Sequence, residues 1–215
     1  MENDPSKATQ FDGSSLVSAV RNGEMSPKEV CEEFIKRIKD AETKIHAFAH
    51  FNEEAVLRQA GAIEARGKKG RLAGLPMGVK DVFDTADYPT EYNLPIYRGH
   101  RPARDCSVVA RLKAEGAVLV GKTETSEFAF MRTGPTRSPH RLERTPGSSS
   151  AGSGAGMAAG FFPAALGTQT AGSLIEPASY CGSFAYKPSF GLTSLEGVKA
   201  PGAQPRYGWL VWSLR

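Results

Sequence analysis

The sequence predicts an α/β fold, and three stretches carry that prediction. An amphipathic helical pattern follows Ser26, short apolar runs broken by Gly and Pro begin at Gly70, and a helical pattern over residues 105–115 feeds directly into the apolar run 117–120. A helix returning into a short buried strand is the unit from which α/β sheets are built.

Each element has its own signal. Ser26-Pro27-Lys28-Glu29 offers a hydroxyl cap, a proline for the first turn and a glutamate that closes a capping box. Val30, Phe34, Ile35, Ile38 and Ala41 then recur at helical spacing, while Glu32/Lys36 and Glu33/Arg37 pair on the wet face. Residues 52–66 predict a second helix, with Val56, Ala60 and Ile63 on one side and Gly67 ending it. His46 and His50 lie between these helices without other ligand types nearby and are read as structural. GRLAGLPMGVKDVFDT predicts strands and tight turns. Residues 105–115 predict a helix capped by Asp105, with Val108, Val109 and Leu112 on one face and Gly116 as its stop; 117–120 is a short buried strand.

At 215 residues the chain suits one domain, or a piece of a larger one, with a real core. Lys plus Arg number 27 against 23 Asp plus Glu, a net charge of +4 that argues only weakly for nucleic acid, and no nucleic-acid partner is expected. Arg98, Arg101 and Arg104, then Arg132, Arg137, Arg141 and Arg144, form two loose clusters without interleaved aromatics, read as solvated loops ahead of anion contacts. Cys31, Cys106 and Cys181 are far apart and form no C-x-x-C pair, which suits a reducing compartment and argues against a disulfide scaffold or zinc site. MENDPSKATQFDG lacks the apolar core of a secretory signal, and no run approaches the ~20 apolar residues of a membrane span. The expectation is a cytoplasmic protein without a membrane partner.

GAVLVGKT, residues 116–123, literally satisfies the phosphate-loop pattern G-x-x-x-x-G-K-[ST]. That chemistry needs the four middle residues as an open loop whose N–H groups curl round phosphates. Ala-Val-Leu-Val reads as the strand itself, so nucleotide binding is set aside.

PGSSSAGSGAGMAAG, residues 146–160, gathers Ser148, Ser149, Ser150 and Ser153 among five glycines. A flexible linker is the plainer reading. The continuation GMAAGFFPAALGTQT is that of a buried segment, which places the hydroxyls inside the fold. Lys80 in GLPMGVKDV, Ser149 in this run and Ser173 in GTQTAGSLIEPASYCG stand out together. With GHRPARDCSVVARLKAEGAVLVGKTETSEFAF and CGSFAYKPSFGLTSLEGV, the stretch from about Ser14 to about Lys199 resembles the amidase signature family, which hydrolyses or transfers the acyl group of carboxamides.

The resemblance implies a mixed β-sheet flanked by helices, a cofactor-free and metal-free Ser-Ser-Lys triad, and an acyl-serine intermediate on a small-molecule amide. Motif by motif, the lysine falls on Lys80, the bridging serine on Ser149 and the acyl-forming serine on Ser173, with spacings of 69 and 24 residues. It also implies a cis peptide before Ser149. The physical reading agrees: a serine needs its proton removed as it attacks, no Ser-His-Asp arrangement is evident, and a lysine acts as base only if burial keeps it neutral. Leu75, Met77, Val79, Val82 and Phe83 supply apolar surroundings for Lys80, and strand alternation turns Asp81 to the other face. The small residues before Ser173 leave backbone N–H groups of Thr170, Ala171, Gly172 and Ser173 as an oxyanion hole. Read alone, Ser173 would be a Gly-Ser turn capping a helix, Lys80 an edge-strand lysine and Ser149 a linker serine.

Several positions depart from the family pattern. Ser148 stands where glycine is expected, Gln169 for aspartate, Ala171 for glycine, Glu124 for asparagine, and Ile175 and Glu176 where an arginine follows the nucleophile. Family members run to about twice this length. The expected organisation is a polar tail at 1–13, an incomplete amidase-signature domain at 14–199 and a divergent tail at 200–215, with an uncovered sheet edge prone to association; a homo-oligomer is left open. The alternatives are a catalytically inactive fragment and, within the family, the A subunit of a tRNA-dependent amidotransferase.

Overall fold

The structure, a computed structural model, describes residues 12–130, 132–199 and 206–213. Nearly all of the expected tail at 1–13, and the first residues of the tail at 200–215, lie outside that description.

Two helices open the chain. α1 (Gly13–Asn22) begins on the Asp12 carboxylate, which accepts the Ser15 N–H, and ends at Gly23 in the left-handed conformation. α2 (Pro27–Ile45) carries the capping box read from the sequence: Ser26 Oγ accepts the Glu29 N–H at 3.1 Å, and the Glu29 carboxylate accepts the Ser26 N–H at 2.7 Å. β1 (Phe48–Phe51) and α3 (Glu53–Ala65, capped by Asn52) follow.

The sheet has six strands in the order β1-β3-β2-β4-β6-β5. Its centre is parallel: β2 (Pro76–Lys80) lies between β3 (Val118–Thr123) and β4 (Ala164–Gln169), and all three are buried along their whole length. Strands covered on both faces read as continuous apolar runs rather than alternating ones. β1 joins one edge antiparallel to β3, while β6 (Arg206–Val211) pairs antiparallel with β4 and β5 (Phe184–Tyr186) antiparallel with β6. The sheet is therefore mixed, with residues of the expected divergent tail supplying an interior strand.

Helices cover both faces. On one, residues of α1, α2, α3 and α5 (Ala151–Ala158) pack with Phe161 and Phe162; on the other, α4 (Ser107–Ala114) packs with Val79, Phe83, Leu119, Leu166 and Tyr207. The serine-glycine run is thus no linker: α5 is buried from Ala151 to Met157. Its glycines set how close it lies. A Cβ at Gly156 would stand 2.4 Å from the Phe162 ring, and one at Gly152 would stand 2.1 Å from the Ala47 carbonyl oxygen.

Two expectations need correction. Asp105 does not cap α4, which follows Cys106 and has no side-chain cap; the Asp105 carboxylate instead accepts the Ala86 N–H and pairs with Lys113, both at 2.8 Å. The strand expected at 117–120 runs on to Thr123. Lys122 of the phosphate-loop match is fully buried, 2.9 Å from the Asp81 carboxylate, so those residues form a strand rather than an anion-binding loop.

Candidate active site

The parallel strands end together. Lys80, Thr123 and Thr168 sit at or near the carboxyl ends of β2, β3 and β4, the edge at which open α/β sheets bind ligands. Lys80 Nζ donates to Ser149 Oγ at 2.6 Å and to Thr168 Oγ1 at 2.8 Å. Lys80 is 0 % exposed, and burial pushes its amine well below the usual lysine range. No carboxylate forms an ion pair with it among the described residues.

The neighbouring Asp81 is kept away by strand geometry. Lys80 and Asp81 leave β2 on opposite faces, and Asp81 is bound to Lys122 while its other oxygen accepts the Glu91 N–H at 3.0 Å. Lys122 could not reach that face by alternation from Val118 and Val120, which pack on the α2 side. A shift in register opposite Met77 and Gly78, where Leu119 and Gly121 are the successive partners, inverts the pattern. Lys122 then meets Asp81, Pro89 O and Thr90 Oγ1, and Thr123 turns to Ser153 of α5, with 2.7 Å between their hydroxyl oxygens.

Ser149 is 2 % exposed and lies just before α5, and the Ser148–Ser149 peptide is cis. The Ser149 carbonyl accepts the Ser126 N–H, and the N–H of Ser150 reaches the Ser173 carbonyl at 3.2 Å. That bond sets the serine-glycine run against the turn that carries Ser173. Ser173 is half-buried in that turn, ahead of α6 (Ile175–Cys181), whose first residue is capped by Leu174 with no side-chain bond. Ser173 is therefore not a capping serine, and its hydroxyl makes no hydrogen bond among the described residues. The N–H groups of Ala171, Gly172 and Ser173 likewise donate to no acceptor among the described residues.

Residues outside the expected set frame this arrangement. Thr168 completes the coordination of Lys80, and the Gln169 side chain accepts the N–H groups of Leu174 and Ile175 at 3.1 and 3.0 Å, fixing the start of α6. Their signal was the polar TQT closing an apolar strand. Glu176 accepts the Ser148 N–H at 3.1 Å, while Ile175 is exposed. Glu124, just beyond β3, is buried at 6 % exposure; desolvation, reinforced by Asp81, Glu42 and Glu91, pushes its carboxyl up to about 7.

A buried lysine that forms no ion pair among the described residues, bonded to a serine at the carboxyl edge of a parallel sheet, marks an α/β protein with a paired serine and lysine. The chain belongs to the amidase family, whose model, described as Amidase, matches residues 29–207. It is 40% identical over 201 residues to the A subunit of the glutamyl-tRNA(Gln) amidotransferase of Thermobifida fusca, covering 89% of this chain and 40% of that one. Among solved structures, it is similar to the native peptide amidase of Stenotrophomonas maltophilia, with 29% identity, a TM-score of 0.87, and coverage of 94% of this chain and 45% of the other. A structure described as a vestigial protein complex revealing the origins of an s-triazine catabolic enzyme matches with 37% identity and a TM-score of 0.87, covering 94% of this chain and 47% of that one. The chain thus spans less than half the length of these relatives. No helix among the described residues is long and apolar enough to cross a membrane.

Proposed function

We propose that this chain carries the acyl-transfer machinery of an amidase acting on a small-molecule carboxamide, with Ser173 as nucleophile, Ser149 as proton relay and Lys80 as base. Neutral Lys80 takes the Ser149 proton as Ser149 takes that of Ser173, and Ser173 Oγ bonds to the amide carbon. The N–H groups at Thr170 to Ser173 receive the oxyanion. Collapse of the tetrahedral intermediate breaks the C–N bond, the amine leaves with the proton returned through Ser149, and water releases the acid from acyl-Ser173 by the same route. The observation that carries this reading is the 2.6 Å bond between Ser149 and a buried lysine that forms no ion pair among the described residues.

Incubation with a fluorophosphonate probe followed by mass spectrometry tests it. One adduct is expected, on Ser173, and none in Ser173→Ala. A folded protein that forms no adduct would support the alternative of a non-catalytic chain, and an adduct elsewhere would overturn the assignment.

The names of the amidotransferase relatives favour a second reading, in which the amide is glutamine and the released ammonia passes to an acceptor held by partner proteins. Ammonia release from glutamine but not from simple amides would select it.

A further inference from the structure

The arginine-rich stretch 132–144 predicts a solvated loop, and the structure gives that loop a shape. A cavity of about 730 Å³ is lined by Ser138, His140, Arg141, Arg144, Thr145 and Tyr180. Among the described residues, no carboxylate lines it. Arg141 and Arg144 make no side-chain hydrogen bond or ion pair among the described residues, whereas Arg37, Arg58 and Arg104 each pair with a glutamate.

Hydrogen bonds hold the frame around these groups. The Arg137 N–H bonds Ile45 O and the Thr136 hydroxyl bonds His46 O, both at 2.8 Å, which pins the loop to the end of α2. The Ser138 N–H donates to Arg144 O at 3.0 Å and the Arg144 N–H to Arg141 O at 2.9 Å, so the loop folds back and brings both arginines to one cavity. On the α6 side, His140 Nε2 lies 3.0 Å from Cys181 O, and the Cys181 thiol donates to Pro146 O.

Two hydroxyls extend the basic wall. Ser138 lines the cavity although it is only 5 % exposed, and its hydroxyl makes no hydrogen bond among the described residues. Thr145 Oγ1 accepts the Gly147 N–H at 3.1 Å, which leaves its own proton free to donate. Two guanidiniums and two hydroxyl donors suit a tetrahedral oxyanion with several terminal oxygens better than a single carboxylate, and a held loop lowers the ordering cost of binding.

We propose that this cavity is a binding site for a phosphate group, either as inorganic phosphate or as a phosphate monoester whose substituent lies against Tyr180. Lys80, Ser149 and Ser173 are not among its lining residues, and the proposal stands or falls independently of the amidase reading.

Calorimetric titration of the full chain at constant ionic strength, with inorganic phosphate in one arm and phenyl phosphate in the other, tests it. Saturable binding with a dissociation constant on the order of 1 mM is expected for phosphate. Tighter binding of phenyl phosphate would identify a monoester, and equal affinities would identify phosphate itself. Arg141→Gln combined with Arg144→Gln, both exposed, should weaken binding at least tenfold with an unchanged melting temperature, and Ser138→Ala should weaken it several-fold. No saturable binding in either arm, or undiminished binding in the double variant, would overturn the proposal.

Discussion

At the residue scale, two buried ionisable groups are pushed towards neutrality by the same physics. Desolvation lowers the amine of Lys80 and raises the carboxyl of Glu124, and neither has an opposite charge as a partner. For Glu124 the consequence is a pH-dependent stability. Its carboxyl titrates near 4.5 when unfolded and near 7 when folded, so the folded state binds more protons between those values. Stability therefore falls as pH rises through that window, by about 3 kcal/mol for a shift of this size. Glu124→Gln should leave the melting temperature unchanged at pH 4 and raise it clearly at pH 8; equal effects at both pH values would contradict the shift. Motif and spacing named Lys80, Ser149 and Ser173 as candidates; of these, Lys80 and Ser149 are joined by a hydrogen bond, and Ser173 is tied to the serine-glycine run through the Ser150 N–H. Thr168 and Gln169 were given no place in the site: TQT closing an apolar strand marks a polar end, but it does not say that Thr168 meets Lys80 of β2 or that the Gln169 side chain turns to the N–H groups of Leu174 and Ile175.

At the element scale, the register shift between β2 and β3 decides which lysine meets which partner. It lets the sheet hold two fully buried lysines on opposite faces, one bonded to hydroxyls and one to a carboxylate. Breaking a buried pair from one side leaves an uncompensated charge and costs about 3–5 kcal/mol. Asp81→Asn should lower the urea midpoint accordingly, and adding Lys122→Met should recover part of the loss. A loss below ~1 kcal/mol in the single variant would mean that the pair contributes little. Alternation along β2 was enough to turn Asp81 away from Lys80, but the bulge was invisible, since nothing in AVLVGKT marks which residue is the extra one. The Asp105 cap failed for a related reason: the carboxylate was drawn to Ala86 and Lys113, contacts that local reading does not contain. α1 has a legible signal in Asp12, Leu16, Val17, Val20 and Gly23, which a reading centred on longer helices passes over.

At the scale of the whole molecule, apolar side chains remain uncovered at one end of the sheet. β5 is the outermost strand, with Phe184 and Tyr186 just over half exposed, and Phe190 and Leu192 of the following segment are more exposed still. An open edge beside exposed apolar groups favours association. Sedimentation should show mean mass rising with concentration, and Phe184→Lys with Leu192→Lys should shift the protein towards monomer; a wild-type protein that stays monomeric throughout would contradict this. The α/β class and the packing of the serine-glycine run were legible from the chain alone. The place of β6 was not: YGWLV has the residues of a strand, but its insertion between β4 and β5 is a long-range pairing that no local pattern specifies.

The proposed mechanism requires an uncharged Lys80 to draw the proton that Ser173 must lose. The most direct measurement is the rate of Ser173 modification by a fluorophosphonate as a function of pH, in the wild type and in Lys80→Met. An acid limb with its midpoint well below the ~10.4 of a free lysine is expected, with a rate lower by about 10²–10⁴-fold in the variant. A midpoint at the free-lysine value, or a folded Lys80→Met protein that reacts as fast as wild type, would contradict it.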